Sequence, residues 1–291
     1  TFLASRKIAA GMLAKSENPV VIGVGGFVAA PVCRAAYKSK IPLFLLNVDI
    51  IPGKANKLIG KWADRIFAQF EETAEYFGKQ KSKVSVVGCP LRSSFNNPDP
   101  QKAKETLGLD YSKKILLITG ASTGSQNINR TICSLLSKLS TFANDWQIVH
   151  LTGRANFDQV NEGYANAAIR NKVVDYYDDM PDLLAAADIV IGRSGAVSVA
   201  EYAAAAAPSI CMPYPYHSDL HQYLNAGKLV EAGAAIIVDD VGEDKDRQEW
   251  LWEELEPLMK DEAKRRQMKD ACKTVARKDD AKMISEADLG K

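Results

Sequence analysis

The sequence predicts an α/β protein built from doubly wound parallel sheets, arranged as two Rossmann-like domains facing across a cleft. Three observations predict it. Short apolar runs rich in β-branched residues recur from end to end, amphipathic helical stretches separate most of them, and glycine-rich turns join strand to helix. Near-continuous apolar strands alternating with helices are the mark of a sheet covered on both faces.

Taken in order, a helical stretch at residues 2–15 precedes strands at 20–24, 43–46, 65–68 and 84–87. Such a domain normally opens on a strand. The chain starts at Thr1 with a helix and has fewer strands here than further on, so the expectation is that the front of this domain lies upstream. Prolines and polar residues from Pro90 to Pro98 interrupt the alternation and mark a boundary. Strands follow at 115–119, 147–151, 173–176, 189–191, 209–212 and 235–238, with helices at 246–259 and 261–276 closing the chain. The expected organisation is a partial first domain at 1–92, a linker at 93–112, a second domain at 113–260, and C-terminal helices at 261–291 that pack back on the first domain. The cleft between the domains is the expected site.

Composition narrows the function classes. The 291 residues carry 37 Lys and Arg against 36 Asp and Glu, for a net charge of +1. Scattered, balanced charge gives no basic stripe, so a nucleic-acid partner is excluded. The five cysteines, Cys33, Cys89, Cys133, Cys211 and Cys272, form no C-x-x-C pair and read as buried thiols of a reducing compartment. His217 and His221 stand four apart with Asp219 between them, but no convincing third ligand accompanies them, so no metal and no cofactor is expected. No run is long and apolar enough to span a bilayer and no signal peptide is visible, which places the expected protein in the cytoplasm or on the inner face of the membrane.

The most informative segment is Gly192-Arg193-Ser194-Gly195-Ala196-Val197-Ser198-Val199-Ala200-Glu201. It follows the apolar run 187–191 and opens an alanine-rich helix. A strand-to-helix turn of small residues presents backbone N–H groups and a positive dipole end, and Gly195 lets a diphosphate approach closely. Glu201, one to two turns into the helix, is placed to accept hydrogen bonds from a ribose diol. Glycine turns also serve packing alone in every Rossmann-like fold.

Further segments stand in register with this one: Gly25-Gly26-Phe27-Val28-Ala29-Ala30-Pro31; Ile51-Pro52-Gly53 followed by Asn56; and Gly88-Cys89-Pro90-Leu91-Arg92. After them come the 120–129 turn, Tyr177-Asp178-Asp179-Met180, and the run from His217 to Ala226. Their order and content resemble the MurG family, over nearly the whole chain. That resemblance implies the GT-B type of fold and an inverting transfer of N-acetylglucosamine from UDP-N-acetylglucosamine to lipid I, a muramoyl-pentapeptide on undecaprenyl pyrophosphate, giving lipid II for peptidoglycan.

For the donor site the resemblance implies Arg92, Ser122, Tyr177, Ser194, Gly195, Ala196, Val197, Ser198, Val199, Ala200, Glu201 and Gln222. Gln222 matches a glutamine on the transferred sugar, and a guanidinium at Arg92 suits a departing diphosphate. Gly25, Gly26, Asp49 and Asn56 fall on the acceptor side. The family's His-Glu-Gln-Asn run is replaced by Leu46-Asn47-Val48-Asp49, while Cys89 and His221 stand where Asn and Gln are common. The family's N-terminal glycine-rich loop, with the histidine expected as general base, would lie upstream of Thr1.

A lipid-linked acceptor implies contact with the cytoplasmic face of the membrane. Phe2, Leu3, Ile8, Met12 and Leu13 with Arg6, Lys7 and Lys15 form a short basic amphipathic helix suited to it; the same pattern also suits a core-facing helix with solvated lysines. Three other readings share these features: a glycolipid glycosyltransferase, a UDP-sugar epimerase, and a non-catalytic UDP-sugar-binding fragment.

Overall fold

The computed structural model describes the chain except residues 122, 217, 218, 278–281, 283 and 286–291. It divides into two compact units, Thr1–Pro90 with Asp279–Lys291, and Leu91–Lys278.

In the first unit α1 (Phe2–Leu13) begins at Thr1, whose hydroxyl accepts from the Ala4 N–H. Then come β1 (Val21–Gly23), α2 (Ala29–Lys38), β2 (Leu43–Asn47), α3 (Lys54–Gly60), β3 (Arg65–Ala68) and β4 (Val84–Val86). The sheet runs β1-β2-β3-β4, all parallel. Side chains of one strand serve both faces. Leu43 and Leu45 join Val21, Cys33, Ile59, Ile66 and Phe77 in one layer, whereas Phe44 stacks on Phe67 in the other, where Ile284 packs. Gly23 is required by close approach, since a Cβ there would lie 2.7 Å from the Cys33 Sγ. On β1, at the sheet edge, Ile22 remains exposed, as do Val20 and Val24 that flank the strand.

The second unit opens with α4 (Pro100–Leu107) and continues β5 (Lys114–Thr119), α5 (Gln126–Leu139), β6 (Trp146–Leu151), α6 (Phe157–Gly163), β7 (Arg170–Val174) and α7 (Met180–Ala186). It ends with β8 (Ile189–Gly192), α8 (Ala196–Ala204), β9 (Ser209–Cys211), α9 (His221–Glu231), β10 (Ala235–Ile237), α10 (Asp244–Lys260) and α11 (Glu262–Val275). Its parallel sheet has the order β10-β9-β8-β5-β6-β7. That is the Rossmann order, in which the direction of winding reverses between β5 and β8 and opens a crevice beyond their C-terminal ends. Leu116, Ile118, Ile148, Ile189 and Ile191, all at 0% exposure, fill the core with Trp146 and the α10 residues Leu251 and Leu255. Each such side chain contributes about 1.5–3 kcal/mol by burial.

Three features differ from the sequence expectation. The stretch 93–112, read as a linker, carries α4. Asp99 caps this helix through the N–H groups of Gln101 and Lys102, and Pro100 occupies its first turn. An Asp-Pro pair is a favourable helix start. The Asp99 N–H donates to Asp182 on α7 at 2.8 Å and Lys102 pairs with Asp179, so α4 is packed on α7 within the second unit. Second, α11 packs on α8 and α10, and the described tail residue Ile284 packs in the first unit's core. Third, the strand expected at 173–176 lies at Arg170–Val174, because pairing Gln147 with Arg170 draws the polar start of the segment into the ladder.

Candidate functional site in the second unit

Two strand-to-helix turns lie side by side because β5 and β8 are neighbours. In the turn after β5, Gly124 has φ +77° and a Cβ on it would come within 2.0 Å of the Thr152 carbonyl oxygen, so only glycine fits. Ser125 caps α5, its Oγ accepting from the Ile128 N–H. The turn after β8 is different. Gly195 caps α8 with φ −59°, and a Cβ there would meet nothing within 4 Å. Neither backbone conformation nor packing demands glycine at 195. Its use is therefore to leave room at the start of α8, where the helix dipole favours an anion.

Two adjoining cavities open beside these turns and share Ala121 and Ser198 in their walls. One, of about 310 Å³, is lined by Thr119, Leu151, Asp175, Tyr176, Tyr177, Met180, Val197, Glu201 and Tyr202. The other, of about 410 Å³, is bounded by residues of the 120–127 turn, Arg193, Gly195, Tyr214, Tyr216 and Gln222. The first offers aromatic and aliphatic walls with two carboxylates, Asp175 and Glu201; the second offers backbone turns and polar side chains. Burial pushes the Glu201 carboxyl above the ordinary carboxylate range, and the Arg92 guanidinium pulls it partly back. Burial, helped by Asp179, likewise raises the Tyr177 hydroxyl.

The residues read from the sequence divide by helical geometry. Val197, Ser198 and Glu201 lie on the face of α8 that lines the cavities, with Gly195 at its cap and Tyr177 opposite. The side chains of Ser194, Ala196 and Val199 turn into the protein and are buried, and Ala200 lines neither cavity. The 3.6-residue period allows only about every third or fourth side chain to face a ligand. Arg92 is exposed, donates to the Asp178 carbonyl at 3.0 Å and acts on Glu201 through its charge. Gln222 accepts from the Tyr214 N–H at 2.9 Å with its Oε1 and lines the larger cavity. Ser122, His217 and Ser218 lie outside the described residues. His221 Nδ1 sits 2.6 Å from Asp219 Oδ1.

Sequence reasoning left Arg193 out of the site set and missed Asp240 altogether. The Arg193 guanidinium donates to the carbonyls of Met212 at 2.8 Å and Pro213 at 3.2 Å and to Ser125 Oγ at 2.7 Å. It also pairs with Asp240 Oδ2 at 2.6 Å, a contact too bent for a hydrogen bond and held by charge. One arginine thus ties together the loops after β5, β8, β9 and β10. The position of Arg193 in the turn was a signal available from sequence; Asp240, far along the chain, offered none.

In the first unit, Gly25 (φ +103°) and Gly26 (φ +80°) leave β1 in a conformation that glycine tolerates. Asn56 Nδ2 donates to Asn47 Oδ1 at 2.8 Å, and Asn47 Nδ2 to the Asp49 carbonyl at 2.6 Å. Asn56 Oδ1 is buried with no hydrogen-bond partner, at the spot where a Cβ on Gly25 would clash at 2.7 Å. Gly25, Asn47, Asp49 and Asn56 are therefore brought together beyond the ends of β1 and β2.

Two parallel α/β units, one with the Rossmann order and a divided cavity at its switch point, define the GT-B class of glycosyltransferase architecture. Residues 115–284 match the C-terminal domain of glycosyltransferase family 28 and residues 1–68 its N-terminal domain. The chain belongs to that family and, within it, to the MurG family. It is 38% identical over 221 residues to the UDP-N-acetylglucosamine--N-acetylmuramyl-(pentapeptide) pyrophosphoryl-undecaprenol N-acetylglucosamine transferase of Thermodesulfovibrio yellowstonii, an alignment covering 76% of this chain and 60% of that protein. The chain thus spans about three-fifths of that relative's length. Among solved structures, Acinetobacter baumannii MurG superposes with a TM-score of 0.75 at 22% identity, over 98% of this chain and 79% of that one. The S. aureus MnaA–UDP co-structure superposes at 0.70 and 16% identity, over 98% and 79% of the two chains.

Proposed function

We propose that this protein transfers N-acetylglucosamine from UDP-N-acetylglucosamine to lipid I, making lipid II. The carrying observation is the divided cavity whose two parts share Ser198, with Glu201 in one and Gln222 in the other. Uridine and ribose fit the aromatic part, with the ribose diol donating to Glu201. The diphosphate fits the turn at Gly195, and the sugar fits the Gln222 side. Relatives at 34–38% identity carry the name of this activity.

In the proposed reaction the acceptor hydroxyl attacks the anomeric carbon, the new C–O bond forming as the bond to the diphosphate breaks, with inversion. A base takes the hydroxyl proton, and UDP leaves with its charge stabilised by N–H groups at the start of α8 and by Arg92. Gly25, Gly26, Asp49 and Asn56 support an acceptor-binding role for the first unit, with Asn56 Oδ1 as a free acceptor atom.

A lipid acceptor requires the inner membrane surface. Among the described residues no helix is long and apolar enough to cross a membrane. The helix α1 packs on α2 yet leaves Phe2, Leu3, Ile8 and Met12 exposed, and Phe27 at 93% and Val28 at 82% stand out after β1. Apolar side chains beside Arg6 and Lys7 support peripheral binding to an anionic leaflet.

The test is to incubate the purified protein with UDP-N-acetylglucosamine and lipid I and to assay lipid II and free sugar separately. Lipid II formation is expected. Release of an epimerised sugar without any lipid requirement would instead assign the epimerase reading, which the fold likeness to nucleotide-sugar epimerases keeps as the second candidate.

A further inference from the structure

The second unit carries another cavity, of about 230 Å³, at the opposite edge of its sheet from the nucleotide-sized ones. Lys114 opens β5, and Asp188 and Pro208 precede β8 and β9, so this cavity sits at the N-terminal ends of strands whose C-terminal ends hold the donor cavities. Three further cations, Arg265, Arg266 and Lys269, reach it from α11. Their spacing puts 265 with 269 and 266 with 269 on neighbouring faces of one helix.

The charges in this cavity do not cancel. Its two carboxylates are already engaged: Asp188 Oδ2 accepts from the Ile115 N–H at 2.8 Å, and Glu262 pairs with Arg266 at 3.3 Å. Among the described residues, Lys114 and Lys269 pair with no carboxylate. The central cation is buried. Arg265 is 6% exposed, its Nη1 donates to the Leu258 and Met259 carbonyls, and its guanidinium lies 5.1 Å from the Trp146 ring centroid. Its Nε and Nη2 donate to no protein acceptor, and the residue lines the cavity. A fixed guanidinium with unused donors, flanked in a concavity by two ammonium groups that no carboxylate pairs, Lys114 lying 5.9 Å from the Trp146 ring centroid, is an arrangement that binds a polyanion through charge-assisted hydrogen bonds.

We propose that this cavity binds a soluble phosphate-bearing anion of the size of pyrophosphate or a phosphate monoester, separately from the donor site. Lys114 and Lys269 supply positive charge and Arg265 the fixed donors. The ligand would join the start of β5 to α11, which packs on α8.

The test is a calorimetric titration of pyrophosphate into the protein held in saturating UDP, so that the donor turns are occupied. Wild type is expected to bind, with affinity falling as salt rises. The Lys114→Gln/Lys269→Gln variant, which alters one half-buried and one exposed side chain, is expected to bind at least fivefold more weakly with unchanged UDP affinity. Equal pyrophosphate affinity in the two proteins would overturn the proposal. So would sedimentation with phosphatidylglycerol vesicles that depends on Lys114 and Lys269 while pyrophosphate binding does not, since that assigns the charge to a lipid surface. If UDP itself fails to bind, the donor reading fails, and the lysine dependence of pyrophosphate binding still judges this site alone.

Discussion

Arg193 and Asp240, 47 positions apart in sequence, meet at 2.6 Å inside the second unit, with side-chain exposures of 10% and 0%. Asp240 also accepts from Asn127 Nδ2 at 2.9 Å and faces Arg247 Nε at 3.6 Å. Replacing Asp240 with alanine leaves two buried guanidinium groups without their shared counter-charge. Breaking such a pair costs about 3–5 kcal/mol. Urea unfolding followed by tryptophan fluorescence should show that loss, together with weaker UDP binding as the four loops part. A change below about 1 kcal/mol, typical of exposed pairs, would show the contact to be idle.

Two glycines in the same site should behave oppositely. Gly124→Ala places a Cβ against the Thr152 carbonyl at a positive φ and should destabilise the protein by about 1–3 kcal/mol or more. Gly195→Ala should leave the melting temperature unchanged, because nothing crowds that position, yet weaken UDP binding at least tenfold. Unaltered UDP affinity in Gly195→Ala would remove the close-approach argument.

Glu201 is expected to trade stability for binding. Burial raises its pKa in the folded protein, so the charged form is disfavoured on folding, and the resulting cost grows as pH rises above the unfolded-state value. Glu201→Gln should therefore raise the melting temperature at neutral pH and lose that advantage in acid, where the native carboxyl is protonated. The same variant should weaken UDP binding. In wild type, UDP affinity should fall as pH drops through the raised Glu201 pKa, measured by competition titration; a flat profile would dissociate Glu201 from the ribose.

A pH effect on folding should come from His150. It is fully buried between the Tyr164 hydroxyl and Asn129 Oδ1, each at 3.0 Å, and burial drives its pKa from 6.5 to about 3. Between those values the unfolded chain binds a proton that the folded chain refuses. Stability is thus complete above pH 6.5 and declines as pH falls toward about 3, by up to about 1.4 kcal/mol per pH unit from this group. Denaturant midpoints of His150→Gln across that range should fall less steeply than those of wild type.

Much of this was legible in the linear sequence. The β-branched runs located all the strands of both sheets, with the one shift at β7, since strands buried on two faces need continuous apolar character. The turn from Gly192 to Glu201, which borders both cavities, was legible because a strand-to-helix junction of small residues is a local property. Other features needed more than local pattern. The segment 93–112 carries a helix, and Ser194, Ala196, Val199 and Ala200 share the turn's composition although their side chains line neither cavity.

By itself the sequence determined the class of fold, the family and the turn that opens α8, since period and turn chemistry are encoded within a few residues. Only the tertiary structure decided which of those side chains line a cavity. It also decided that Arg193 is held by Asp240, and that Lys114 and Lys269 converge around Arg265. These relationships join residues on different strands and helices, so no spacing along the chain announces them. The order of strands in the sheet creates them, by setting loops and helices side by side in space.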